Sequence, residues 1–179
     1  SEDFDLESWD HVLKVNLTAA FVLSQAFCRH RKQAGEPGRI INIGSLTCQA
    51  ARPTTAPYGA SKGGLLMLTK TLATEWAQYN IRVNALAPGF FLTEQNRFLL
   101  TQEGTGELTA RGGRIVDHTP MGRFGAPEDL VGTALWLLSE GAAFVHGIVV
   151  PVDGAGDHYV VLRSDPGFAL ETLGEACFA

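Results

Sequence analysis

The chain has 179 residues, 45% of them apolar and 18% charged, which is the size and balance of one globular domain able to bury a core. A net charge of −5 and an isoelectric point near 5.5 leave no basic stripe to replace phosphate counterions, so nucleic acid is excluded as a partner. Cys28, Cys48 and Cys177 are too scattered for a disulfide framework or a metal site, and with no basic-then-apolar leader and no uninterrupted apolar run of membrane-spanning length, the expectation is a soluble cytoplasmic protein without a membrane partner.

Taken in order, Leu13, Leu17, Phe21, Ser24 and Phe27 or Cys28 recur at helical spacing and predict a long helix from an N-cap at Asp5 to a C-cap at Gly35. Arg29, His30, Arg31 and Lys32 suit the negative end of its dipole, which makes His30 a surface charge rather than a ligand. The β-branched run from Gly38 to Ile43 predicts a buried strand, and Ser45 follows at its C-terminal end, where open α/β sheets bind ligands. A second helix is predicted from Pro57 to about Tyr79; Gly63-Gly64 inside it lowers helix propensity but permits close packing. The strand from Ile81 to Ala87 runs into Pro88-Gly89, a turn that lets the backbone approach a ligand closely.

From Gly89 to His118 the chain is too long for a bare connection. Its mixture of Phe90, Phe91, Thr93, Asn96, Arg97, Arg111 and Arg114 suits a segment that closes over a polar substrate, with short surface helices at its ends as the plainer reading. Gly125-Ala126-Pro127-Glu128-Asp129 opens a third helix, and a last strand covers Gly147 to Val152 before Asp153-Gly154. Alternating helices and strands predict a parallel sheet with right-handed crossovers, covering residues 1–156; residues 157–179 are an unassigned tail.

Tyr58-Gly59-Ala60-Ser61-Lys62 is the stretch with the clearest chemistry, because positions four apart on a helix are neighbours. A phenol is a poor base near neutrality, and an ammonium one turn away stabilises its phenolate. Alone, such a pair is more often an ordinary polar helix start. Its company changes that balance: Ser45 stands thirteen residues earlier, and Asn16 interrupts the apolar run around Val12-Leu13-Lys14-Val15, where an amide lowers helix propensity and something other than local stability must keep it.

The ordered set Val15-Asn16-Leu17, Ile41-Asn42-Ile43-Gly44-Ser45, Tyr58-Gly59-Ala60-Ser61-Lys62, Val83-Asn84-Ala85-Leu86-Ala87-Pro88-Gly89 with Thr93, and Val150-Pro151-Val152-Asp153-Gly154 closely resembles the short-chain dehydrogenases/reductases. The resemblance implies an α/β fold, the C-terminal part of a Rossmann-type doubly wound parallel sheet. It also implies an oxidoreductase that moves hydride between NAD or NADP and a secondary alcohol or ketone. Tyr58 would be the general acid/base, Lys62 its partner and a ligand of the nicotinamide ribose, Ser45 the hydrogen-bond donor to the reacting oxygen, and Asn16 the anchor of a proton-relay water. Tyr58, Lys62, Pro88, Gly89, Phe91 and Thr93 would contact the nicotinamide end of the cofactor. Within the family the segments around Ser45, Arg52, Tyr58, Arg97 and Met121 look most like gluconate 5-dehydrogenases, so a sugar acid is the expected small-molecule substrate, with Arg52 or Arg97 as the carboxylate anchor. A homotetramer packed through the two long helices is implied as well.

A dinucleotide site of this type should begin with a strand, a Gly-rich turn and a helix, and the sequence contains none of that pattern. Gly104-Thr105-Gly106 and Gly154-Ala155-Gly156 lack the strand-turn-helix context. The resemblance thus covers the catalytic and substrate half, and such a half leaves an unpaired strand edge. Two alternatives remain: the same chemistry on a 3-oxoacyl thioester, a steroid or a polyol, or a truncated, non-catalytic fragment that only oligomerises.

Overall fold

The computed structural model describes residues 2–48 and 54–156, so the expectations for Arg52 and for the tail from 157 lie outside the described residues. The chain divides into two compact units, Ser1–Pro88 with Glu128–Val152, and Gly89–Pro127 with Asp153–Ala179.

The first unit is built on three parallel strands in the order β1-β2-β3: β1 (Gly38–Ile43), β2 (Ile81–Pro88) and β3 (Val149–Val152). The expected α/β arrangement is therefore present. Helix α1 (Leu6–Ala34) begins where Asp5 accepts a hydrogen bond from the Ser8 N–H at 2.8 Å and ends at Gly35 in the left-handed conformation (φ 66°). Both predicted caps are in place. The helix is not uniform: Lys14–Thr18 form a π-helical turn in which the chain accommodates one extra residue, and such turns concentrate at functional sites. By length, and by the hydropathy of 1.2 of its most apolar 18-residue window, α1 passes the test for a membrane-crossing helix, although its apolar sequence is interrupted, as expected, by Lys14 and Asn16.

Helix α2 (Ala56–Trp76) starts with proline in its first turn and carries Tyr58, Ser61 and Lys62. The glycine at 64 is where α1 comes close: a Cβ there would stand 2.9 Å from Leu17 Cδ2, whereas Gly63 faces open space. One apolar core joins Cys28 of α1, Leu72, Ala73 and Trp76 of α2, and Ile81 and Val83 of β2, with Ile40, Leu68 and Tyr79 packed against it. Every residue from Ile81 to Ala87 is buried, as a central parallel strand requires. Burial also pushes the Cys28 thiol pKa up, despite the opposing influence of Lys32, which makes it an inert core residue rather than a nucleophile.

In the second unit the long segment after Gly89 contains two short helices, α3 (Arg97–Leu100) and α4 (Ala110–Asp117), joined through a bridge between Thr101 and Leu108. The plainer of the two sequence readings, short helices within the segment, describes the backbone. The helix α5 (Val131–Leu138) belongs to the first unit and is preceded by a 3₁₀ turn, Pro127–Leu130, rather than beginning directly at the proline.

Candidate active site

The strand β1 ends at Ile43, and its direction carries the chain into Gly44 and Ser45 at the C-terminal edge of the sheet. Gly44 donates to the Leu86 carbonyl at 2.7 Å, and a Cβ at this position would lie 3.0 Å from that oxygen, so the close crossing over β2 needs glycine. Ser45 is then fixed from its own turn. Its N–H donates to Cys48 Sγ at 3.2 Å, the Cys48 thiol donates to the Ser45 carbonyl at 2.6 Å, and Ser45 Oγ accepts from the Thr47 N–H at 3.3 Å. The Oγ keeps a proton to donate elsewhere.

Helix α2 packs against this turn, Leu46–Cys48. Tyr58, in its first turn, is 37% exposed, so its hydroxyl belongs to the surface of the site rather than to the core. Lys62 stands over the Tyr58 ring, 5.7 Å from the centroid, and its ammonium donates to the Ile43 carbonyl at 2.7 Å. Its pKa is held below the ordinary lysine value by burial, with the neighbouring Cys48 opposing the shift. One turn of α2 thus brings a phenol and a desolvated ammonium to the end of β1, two residues before Ser45.

Asn16 lies in the π-helical turn, and its Nδ2 donates to Ser61 Oγ at 3.2 Å. Ser61 is fully buried and donates in turn to the Tyr58 carbonyl at 2.8 Å. The extra residue in α1 therefore aims an amide at the turn of α2 that bears Tyr58. Asn16 and Lys62 both line a groove of about 500 Å³ that runs beside β1. Of the predicted residues, Asn16, Ser45, Tyr58 and Lys62 all fall on these linked elements of the first unit, and Pro88 ends β2 in register with Val152.

The remaining predicted residues belong to the second unit. Gly89 passes so close to Asp153 that a Cβ would sit 2.8 Å from its Cα, so the glycine serves a backbone crossing. Phe91 bridges to Gly125, and its ring fills the space where a Gly125 side chain would be, the nearest ring atom lying 2.6 Å from a built Cβ. Thr93 donates its N–H to Asn96 Oδ1 at 2.9 Å while Asn96 Nδ2 donates to the Phe91 carbonyl at 2.8 Å. Arg97 lines a cavity of about 580 Å³, but its guanidinium is paired with Glu94 at 2.8 Å on an exposed face.

Sequence reasoning did not single out Ser61, Cys48 or Asn96 as site residues, although each orders one that it did. Small hydroxyls, thiols and amides carry no signature until their partners are known, and the partner of Ser61 lies 45 residues away.

The profile of the family described as enoyl-(acyl carrier protein) reductase matches residues 1–155. The gluconate 5-dehydrogenase of Gluconobacter oxydans (strain 621H) is 42% identical over 153 residues, which is 86% of this chain and 57% of that protein. The 5-keto-D-gluconate 5-reductase of Escherichia coli (strain K12) is 40% identical over 152 residues, 85% of this chain and 57% of that protein. Among solved structures, a gluconate 5-dehydrogenase from Burkholderia cenocepacia J2315 in complex with NADP and tartrate superimposes with a TM-score of 0.79 at 40% identity, covering 88% of this chain and 59% of that one. The chain spans a little over half the length of the relatives it matches.

Proposed function

The chain belongs to the short-chain dehydrogenase/reductase family, and on that premise we propose that the complete protein transfers hydride between NAD or NADP and a secondary alcohol or ketone of a sugar acid such as gluconate. The observation that carries the reading is the Tyr58–Lys62 pair, with the ammonium 5.7 Å from the ring centroid and anchored at the end of β1. In the alcohol direction Tyr58 accepts the hydroxyl proton as the carbon loses hydride; in the ketone direction it returns that proton to the oxygen. Ser45 Oγ donates to the same oxygen and stabilises the charge that develops there. Asn16 holds a water through which Lys62 passes the proton to solvent.

Within the first unit the donor set fits the nicotinamide-ribose end of a dinucleotide: the Lys62 ammonium, the Tyr58 hydroxyl and the backbone at Pro88. When bound, the cofactor supplies the hydride acceptor or donor. No strand, Gly-rich turn and helix for its pyrophosphate occurs among the described residues: Gly104 and Gly106 sit in left-handed turns between Thr101 and Leu108, and Gly154 packs on Thr119. Residues 1–156 are accordingly read as the catalytic and substrate half of the domain, with the pyrophosphate site supplied from outside this chain.

A sugar acid is favoured over a 3-oxoacyl thioester because the two relatives above are named for gluconate and its 5-keto derivative. Its carboxylate is assigned to Arg52 or to Arg97, which must exchange Glu94 for the substrate. The exposed apolar residues of α1 and α2, Leu6, Val15, Val22, Leu23 and Met67, suit burial between copies, so a cytoplasmic homotetramer packed through these helices accounts for the apolarity of α1 without a membrane. The test is steady-state turnover of gluconate with NADP by the complete protein: Tyr58→Phe should lower kcat about a thousandfold or more while cofactor binding persists, and turnover at the wild-type rate overturns the assignment.

A further inference from the structure

The second unit carries a cavity of its own, about 580 Å³, built from the short stretch 94–106. Arg97 lines it together with two acids, Glu94 and Glu103, and with Gln102 and Thr105. Thr101 holds the start of α3 in place, its buried hydroxyl donating to the Arg97 carbonyl at 3.0 Å. Glu94 is placed just as firmly, because the Thr93 carbonyl before it accepts from the N–H groups of Asn96 at 3.2 Å and Arg97 at 2.9 Å. The ion pair between these two well-placed residues is nevertheless a poor one. Arg97 Nε at 3.2 Å and Nη2 at 2.8 Å both converge on a single oxygen, Glu94 Oε1, whereas a guanidinium binds a carboxylate best through two parallel bonds to both oxygens. The pair is also open to water, with the Arg97 side chain 52% and the Glu94 side chain 88% exposed, so it is held weakly.

We propose that this cavity binds a hydroxy acid through Arg97, and that Glu94 is a specificity-determining residue: a resident counter-ion that the ligand's carboxylate displaces. The ligand class rests on the sugar-acid reading above; the displacement rests on the cavity's own geometry. An incoming carboxylate offers Arg97 two oxygens in place of one, and Glu94, being largely exposed, returns to water at little cost. The hydroxyls of the ligand find donors and acceptors in the side chains of Gln102 and Thr105. A neutral polyol of the same length has no such exchange to make. It must leave Arg97 paired with Glu94, or strip the guanidinium of its only acid without replacing the charge. Glu94 therefore acts as a filter: it lowers the affinity for every ligand that needs Arg97, and only an anion recovers the loss.

The test is NMR titration of the complete protein, free of cofactor, with gluconate and with sorbitol, the same carbon chain ending in an alcohol instead of a carboxylate. Wild type should bind gluconate about tenfold or more tighter than sorbitol, as a charge-assisted pair requires. Glu94→Gln should tighten gluconate about threefold and leave sorbitol unchanged, the gain shrinking as NaCl is added. Arg97→Gln should bring the two affinities together, and Glu94→Gln on that background should add nothing. Both side chains are exposed, so the fold should survive each change, as circular dichroism will show. A Glu94→Gln protein that binds gluconate no more tightly, or gains equally for sorbitol, would overturn the proposal. So would a gain that is indifferent to salt or survives Arg97→Gln, or gluconate binding too weak to detect. The outcome separates from hydride transfer. Turnover of gluconate by a protein in which Arg97→Gln leaves its binding unchanged removes this inference alone, whereas Arg97-dependent binding without turnover removes the proposed reaction alone.

Discussion

The Lys62 ammonium donates to the Ile43 carbonyl at 2.7 Å, so the helix that bears Tyr58 is tied to the end of the strand that leads into Ser45. The tie has a pH signature. Because burial lowers the Lys62 pKa in the folded state, the unfolded chain binds more protons than the folded one between that value and the ordinary lysine value of about 10.4. Stability contributed at this site is therefore least where the lysine is charged in both states and rises with pH through that window. Urea denaturation of wild type and Lys62→Met from about pH 8 to about pH 10.5 should show the wild type gaining stability relative to the variant as pH rises. A constant difference would mean that the ammonium is not desolvated.

Asn16 and Ser61 form a pair that can be separated from the rest of the site. Ser61→Ala removes the acceptor of Asn16 and the donor to the Tyr58 carbonyl, and should cost about 1–2 kcal/mol. Asn16→Ala should cost less, because Asn16 is only half-buried. A double-mutant cycle should return a coupling of about 0.5–1.5 kcal/mol. Additive costs would show that the 3.2 Å contact carries no energy.

Much of this site is legible in the amino-acid sequence. Asp5, Gly35 and the apolar spacing between them state the limits of α1, because caps are local chemistry and need no partner. Tyr58 and Lys62 are neighbours by helical geometry alone. The π-helical turn at Lys14–Thr18 is not legible, since an extra residue in a helix leaves no compositional mark and is recognised only by the Asn16 contact it creates. The division at Pro88–Gly89 is equally hidden: the sequence reads as one run of elements, whereas the chain leaves the first unit at Gly89 and returns at Glu128. Arg97 shows a third limit: the resemblance offers it as a carboxylate anchor, and only the folded chain reveals that Glu94 already pairs with it.

Two adjacent glycines in α4 should respond oppositely to alanine. At Gly112 a Cβ would run into the Leu100 carbonyl oxygen, a backbone atom that cannot step aside without moving α3. At Gly113 nothing lies within 4 Å. Gly113→Ala should stabilise by about 0.5–1 kcal/mol through helix propensity, and Gly112→Ala should destabilise by about 2 kcal/mol or more. Thermal melts of the two variants check the prediction, and similar shifts in the same direction would refute the crossing at Leu100.

Asn84 is the buried polar group on which the return of the chain to the sheet depends. Its Nδ2 donates to the Val145 carbonyl at 2.9 Å and its Oδ1 accepts from the Ile148 N–H at 3.1 Å, so one side chain in β2 sets both ends of the turn that enters β3. Asn84→Ala leaves the part-buried Ile148 N–H and Val145 carbonyl without their partner and should cost about 1–3 kcal/mol. Asn84→Asp is the sharper test, since the carboxyl keeps the shape but can satisfy both partners only when protonated. The neutral acid donates to Val145 and accepts from Ile148; the carboxylate faces the Val145 carbonyl with nothing to donate. Burial therefore raises the folded pKa of the introduced acid above its unfolded value of about 3.9, so its stabilising contribution is present below about pH 3.9 and is lost as pH rises through the folded value. Denaturation of Asn84→Asp should show a small deficit against wild type near pH 4 that widens toward pH 7. A deficit independent of pH would place the introduced carboxyl in solvent and remove Asn84 from its role at β3.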